Sequence, residues 1–269
     1  MRGENPPVKR YYLVFRKAFK SKLIYRSAFF SEIITSLLSF VIQIFLWSAL
    51  LQNGVKHNTD LNDMILFVLI NSFVLTLTNM NISGLIEASM IDGSIAMELI
   101  RPITYKYYLL SQMLGSNACK LLSSVVPLMV GSVFILEKIP IVSWEQLVLF
   151  FLSLFLGVLL MFEINYLFGL LAFWIQRCWF LGWYMNAFTV FFGGTTVPLW
   201  FYPDILKTVS YYLPFRYITF EPINIILGKT SVQNAWSPLC YALIWLIVLN
   251  LLDKVMWSSA VRRLSVNGG

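Results

Sequence analysis

Six stretches of this chain are apolar enough, and close to long enough or longer, to cross a bilayer: about 29–52, 62–84, 109–136, 147–175, 183–201 and 238–257. A helix needs roughly 20 mostly apolar residues to cross about 30 Å of hydrocarbon. Counting the gaps alternately from an inner N-terminus places Arg2, Lys9, Arg10, Arg16, Lys17, Lys20, Lys22, Arg26, Arg101, Lys106, Arg177, Lys254, Arg262 and Arg263 on one side. The other side holds only Lys56, Lys138, Lys207, Arg216 and Lys229. This asymmetry predicts that both termini are cytoplasmic. Backbone groups in hydrocarbon must satisfy one another, and uninterrupted apolar runs do not alternate as the strands of a barrel would. The predicted class is therefore an all-α integral membrane protein with six transmembrane helices. An N-terminal interfacial helix, a short cytoplasmic helix and an outer re-entrant pair of half-helices before the last span complete the expected architecture.

Composition bears on the partners. Apolar residues make up 58% and charged residues 12%, where a soluble domain carries roughly a quarter charged. The net charge of +7 is concentrated beside the first span, which fits contact with anionic membrane lipid rather than nucleic acid. The first span is too long for the apolar core of a cleavable signal. Cys119, Cys178 and Cys240 have no metal or redox spacing and read as free thiols.

The chain divides into a cytoplasmic tail with an interfacial helix (1–28), a six-span domain (29–257) and a second cytoplasmic tail (258–269). In 11–26, Tyr12, Phe15, Phe19 and Leu23 share a helical stripe, and Arg16, Lys17, Lys20 and Ser21 lie off it. That pattern predicts a helix in the inner headgroup layer, apolar face down. Two spans carry a polar line at helical spacing: Glu32, Ser36, Ser39 and Gln43 on the first, and Ser72, Thr76, Asn79 and Ser83 on the second. Such lines border a polar path or hydrogen-bond between helices, and either role turns them from lipid.

Between spans two and three lies an inner loop, 85–108, with a helix-permissive middle that opens at Asp92-Gly93-Ser94 and is stopped by Pro102. It is either a passive connector or a lever that passes a push from a soluble partner into the bundle. Span four contains Glu163 near its middle, followed by Asn165. An ionisable residue there marks a functional site or a structural hydrogen bond. Ser153 and Gly157 in the same span are spaced for close helix packing. The short loop 137–146 joins spans three and four on the outer side. After span five the pattern breaks in an outer segment, 202–237, where two apolar pieces at about 204–213 and 217–227 are too short to span and meet at Leu213-Pro214. Aromatic residues crowd this region, as at a membrane interface.

Catalytic signatures are missing. Gly228-Lys229-Thr230 imitates the end of a phosphate loop, but Ile223 stands where the motif requires glycine. HExxH, GxSxG and zinc spacings do not occur, and His57 falls in the first outer loop, where it reads as solvated.

The run Gly93-Ser94-Ile95-Ala96-Met97-Glu98-Leu99-Ile100-Arg101-Pro102, and Pro198-Leu199 with Pro203 and Leu213-Pro214-Phe215 before the last span, resemble type-2 ABC exporter permeases. The likeness covers about residues 10–260 and is nearest to a bacterial subgroup with this Gly…Leu-x-Arg-Pro inner loop. The resemblance implies a non-catalytic subunit in the bacterial cytoplasmic membrane. It would pair as a homodimer or heterodimer with a second permease, over two nucleotide-binding ATPase subunits. It would bind no cofactor itself, with ATP and Mg held on the partner. ATPase coupling would fall to Asp92, Gly93, Ser94, Met97, Glu98, Leu99, Arg101 and Pro102, with Asp92, Glu98 and Arg101 as the charged contacts. The path would run along Glu32, Ser36, Ser39, Gln43, Ser72, Thr76, Asn79 and Ser83, with Glu163 a further candidate. Pro198, Pro203, Leu213, Pro214 and Phe215 would form an outer gate. A path of Ser, Thr, Asn and Gln between apolar walls suits export or efflux of an amphipathic drug, peptide antibiotic or lipid. Three readings compete: a proton-coupled secondary transporter using Glu163, a lipid-acting membrane enzyme, and a scaffold for a cytoplasmic partner.

Overall fold

Most of the long apolar runs form helix, and among the described residues five helical stretches, Arg26–Gln52, Leu61–Ile91, Tyr105–Val133, Trp144–Phe173 and Trp236–Val261, are long and apolar enough to cross a membrane. The computed structural model describes residues 7–52, 60–136, 142–175 and 179–263. His57, Lys56, Lys138, Arg177, Cys178 and Arg2, residues 137–141 of the loop 137–146 and the last six residues lie outside the described residues. The elements are α1 (Pro7–Ile24), α2 (Arg26–Gln52), α3 (Leu61–Thr78), α4 (Ile82–Ile91), α5 (Ile95–Leu99), α6 (Tyr105–Lys120), α7 (Val126–Val133), α8 (Trp144–Leu170), α9 (Trp179–Phe192), α10 (Asp204–Tyr212), α11 (Phe215–Ile218), α12 (Phe220–Ile226) and α13 (Trp236–Val261). A π-helical turn, Leu121–Val125, joins α6 to α7, and 3-10 turns follow α8 and precede α10. Among the described residues there is no strand.

α8 is the axis of the bundle. It opens with a capping box, in which Ser143 accepts from the Gln146 amide and Gln146 accepts from the Ser143 amide. Around it pack α4, α11, α12 and α13. Of the most apolar 18 residues in each helix, 67% are buried in α8 and 11% in α2. α2 therefore sits at the periphery. It buries Phe40 and Trp47 and leaves Phe30, Ile34, Leu38, Ile42 and Phe45 uncovered. A Cβ at Gly157 would lie 2.8 Å from the Ile218 carbonyl oxygen, so the missing side chain lets α11 rest directly on α8. Gly157 is thirteen residues into α8, so α11 reaches about 20 Å along that helix.

Four expectations need correction. The stretch 183–201 is not one helix: α9 is 14 residues long, about 21 Å, and ends at Gly193-Gly194. Gly194 has φ +64°, a left-handed conformation that closes helices and favours glycine. The second span breaks at Asn79–Asn81 and resumes as α4, so residues 85–91 are helix and the inner connection shrinks to 92–104. α1 does not offer its apolar side to lipid alone. Tyr11, Val14, Phe15, Ala18 and Phe19 are half-buried and α1 packs along α6, whereas Tyr12 and Leu23 are exposed. A Cβ at Gly115 of α6 would collide with the Phe15 carbonyl, and its absence permits that close approach. Finally, the segment expected at 217–227 is two helices, kinked at Thr219, whose hydroxyl donates to the Gly193 carbonyl at 2.7 Å. These two helices are almost wholly buried, so Phe215, Tyr217 and Phe220 are core residues rather than an interfacial belt.

Candidate functional site

The inner connection folds into an exposed, braced corner. Gly93, with φ +75°, ends α4, and the Ser94 amide donates to Asp92 Oδ1 at 2.9 Å. The Ser94 side chain and amide together hold the Asp92 carboxyl below its usual pKa. α5 covers only Ile95–Leu99 and stops well before Pro102, shorter than the loop pattern predicts. Ile95 anchors it in the core, while Asp92, Met97, Arg101 and Pro102 are exposed and Ser94, Glu98 and Leu99 are half-buried. Burial raises the Glu98 carboxyl, with the nearby Arg101 guanidinium opposing. The Arg101 guanidinium lies 5.0 Å from the Tyr108 ring centre. α1 grips the corner from outside: Arg10 Nη1 donates to the Pro102 carbonyl at 2.9 Å, and the Thr104 amide donates to Tyr11 Oη at 3.1 Å. The eight candidate coupling residues thus share one surface between α1, α4 and α6.

The candidate path residues are less unified. Glu32 Oε2 accepts from Ser123 Oγ at 2.5 Å, which pins α2 to the π-turn. Ser36, Ser72 and Thr76 spend their hydroxyls on carbonyls of their own helices. Ser39 is exposed and Gln43 half-buried. Asn79 falls in the break after α3, and Ser83 is buried against α8 beside Gly169. The second polar line is therefore interrupted, not continuous. Carbonyls freed by the break still find donors, because Asn117 Nδ2 on α6 donates to Leu77 O and to Asn79 O, both at 3.0 Å. Asn81 caps α4 by accepting from the Gly84 amide. This is how an interruption at membrane depth is satisfied by protein.

Glu163 lies beside a cation. Lys106 Nζ is 2.7 Å from Glu163 Oε1 and 2.6 Å from Asp253 Oδ2, and Asn250 Nδ2 donates to the same Glu163 oxygen at 3.0 Å. Lys106 also faces the Tyr166 ring at 5.7 Å. All three charged side chains are at most 12% exposed. The cluster joins α6, α8 and α13 ten residues before α8 and its 3-10 extension end at Phe173. Glu163 thus has a cationic partner on a neighbouring helix, which its place in the sequence does not reveal. In sequence, Lys106 reads as a flanking charge and Asp253 as an acid near the end of a span, and nothing in their spacing couples them.

At the opposite end the gate candidates surround an aromatic cluster. Phe215 stacks on Phe188 and Phe192, with ring centres 5.7 and 6.4 Å apart. Trp200 meets Phe67 and Phe220, and Trp47 stacks on Phe201. Pro198 and Pro214 are buried, Pro203 is exposed before α10, and Leu213 is the extended residue that ends α10. Lys229 sits 4.1 Å from the Trp200 ring centre and 3.4 Å from Asp63.

Comparison with known families decides the class. The model of the ABC-2 family transporter protein matches residues 37–268. The chain belongs to the ABC-2 family. It is accordingly a multi-pass membrane protein of the permease type, a class that partners with ATPase subunits. No curated protein matches the sequence. The ABC-2 match begins after α1 and includes α5, the charge cluster and the aromatic end.

Proposed function

We propose that this ABC-2 chain is the permease subunit of an ATP-driven exporter of amphipathic molecules, powered by two separate ATPase subunits and paired with a second permease. Its membrane is the bacterial cytoplasmic membrane, with both termini inside. The observation that carries the proposal is the braced corner at 92–102, where Asp92, Met97 and Arg101 are exposed on a short helix anchored by Ile95. A partner pressing there loads α4 through Gly93, α1 through Arg10 and Tyr11, and α6 through Thr104. α4 and α6 continue into the bundle and α1 packs along α6, so a push is transmitted as movement of rigid elements rather than absorbed locally.

ATP binding closes the two ATPases, the corner moves, and the bundle exchanges inner for outer access. The permease supplies two states of different substrate affinity, and the ATPases bias their equilibrium. The uncovered face of α2 suits the second permease, and the buried turn of α11–α12 against α8 suits a gate that yields as a unit. Replacing both Glu98 and Arg101 with alanine abolishes substrate-stimulated ATP hydrolysis and export in reconstituted complexes, with the variant folded as the parent. Intact stimulation and export in that variant would overturn the assignment.

A further inference from the structure

A groove between α6, α8 and α13 changes character along its length. It is a cavity of about 400 Å³, open at the surface. On α13 its lining is one helical stripe, Leu243, Leu246, Ile247, Asn250, Leu251 and Lys254, about 16 Å long. The stripe starts apolar and ends on a lysine. On α8 Leu159 likewise precedes Glu163, and α6, which starts at the coupling corner, contributes Lys106 and Tyr107. The charged lining thus lies towards the end where α13 finishes, and the apolar lining lies farther from it. Of these charges, Glu163 is buried and its Oε1 is taken by Lys106, whose ammonium also holds the buried Asp253. Lys254 is exposed and has no ion pair among the described residues. The free charge at this end of the groove is therefore positive. α13 begins at the exposed Trp236, and roughly 20 residues of helix cross the hydrocarbon, so Lys254 falls at its opposite boundary.

We propose that this groove binds an anionic phospholipid of the cytoplasmic leaflet. One acyl chain lies along Leu159, Leu243, Leu246 and Ile247, and the phosphodiester pairs with Lys254 at the end lined by Tyr107. The order of the lining, apolar and then basic, is the order of a phospholipid read from its tail to its head. Apolar lining alone accepts a chain from any lipid, and the lysine selects the head. An ammonium near the membrane surface favours an anionic lipid about fivefold. α2, whose uncovered face suits the second permease, packs against α1, α3 and α7, so pairing there leaves this groove open to the bilayer. The choice of leaflet rests on the proposed orientation, whereas the choice of head does not, and neither depends on the ATPase subunits.

The test uses the full chain in phosphatidylcholine nanodiscs, without ATPase subunits, and two probe lipids that carry a photoreactive group in one acyl chain. One probe has a phosphatidylglycerol head and the other a phosphatidylcholine head. After illumination, mass spectrometry of peptides compares adducts on the groove stripe of α13 with adducts on the exposed Met129 and Val133 of α7. Relative to α7, the anionic probe labels the groove about fivefold more than the zwitterionic probe. Lys254→Gln abolishes that preference and leaves labelling by the zwitterionic probe unchanged. Leu243→Trp and Leu246→Trp fill the groove without touching the charge cluster and reduce labelling by both probes. Inorganic phosphate does not compete, since the chain and the head bind together. Equal labelling by the two heads, a preference that survives Lys254→Gln, undiminished labelling in both tryptophan variants, or an unlabelled stripe, as when a second permease covers it, overturns the proposal. Because both leaflets contain the same lipids and no ATPase is present, a failure here is distinct from a failure of the transport reading.

Discussion

At the end of the bundle where α1 begins and α13 ends, helices are tied together by charge and by hydrogen bonds to the backbone. Lys106 links α6 to α8 and α13, Arg10 and Tyr11 link α1 to the connection before α6, and Arg263 faces Trp174. At the opposite end, ring contacts join the helices beside the ion pairs Arg216–Glu221 and Lys229–Asp63, whereas at the charged end Trp257 gathers Tyr105, Tyr166 and Phe173 around it. Trp47, Phe67, Trp200, Phe201 and Phe220 join α2, α3 and α12, while Phe188, Phe192 and Phe215 join α9 to α11. The difference matters mechanically. A buried ion pair has one favourable geometry and fails abruptly when a partner is lost. Aromatic contacts slide and tilt at small cost, because many offset and edge arrangements are close in energy. The charged end is suited to receive a force without deforming, and the aromatic end to rearrange in response.

The comparison breaks most visibly at Lys106. Lys106→Ala leaves Glu163 and Asp253 buried and unpaired and lowers the unfolding free energy by about 3–5 kcal/mol. Thermal unfolding in detergent measures this. The triple variant Lys106→Met, Glu163→Gln, Asp253→Asn recovers much of the loss, because no charge is then buried. At the aromatic end, Arg216→Ala costs less, about 2 kcal/mol. Arg216 Nε is 2.5 Å from the buried Glu221 carboxylate, but the arginine side chain is 20% exposed and water replaces part of the contact. If Arg216→Ala proved as damaging as Lys106→Ala, the aromatic end would be as rigid as the charged one.

The smallest effect is pH-dependent and belongs to the coupling corner. Burial holds the Glu98 carboxyl above its ordinary value of 4.5. The folded state therefore binds this proton more tightly than the unfolded chain does, and stability rises as pH falls through the folded pKa. The gain is less than about 1 kcal/mol, since the group is partly solvated. Glu98→Gln flattens this part of the pH profile, as denaturation at stepped pH values checks.

The membrane class was legible because apolar runs of this length have few other uses. The α8 axis follows directly from the continuous apolar stretch after Ser143. Helix interruptions were harder to read. Asn79 sits at helical spacing after Ser72 and Thr76, so it extends a polar line in the sequence, and the Asn117 amide that satisfies the break lies 38 residues away. Gly193-Gly194 was a stop signal within reach of local reasoning, and it ends α9 early. The corner at Asp92-Gly93-Ser94 was legible for the same local reason, as a glycine in a left-handed turn. The charge cluster was not, since Lys106, Glu163 and Asp253 come from three helices and meet only through tertiary packing.

The most direct measurement is purification of the tagged chain from its own host in mild detergent, with mass spectrometry and ATP-hydrolysis assays of the stoichiometric partners. The account predicts an ATP-hydrolysing subunit in the parent complex and its loss from the Glu98→Ala, Arg101→Ala variant while that chain remains folded. A parent preparation containing this chain alone, without ATP hydrolysis, would contradict it.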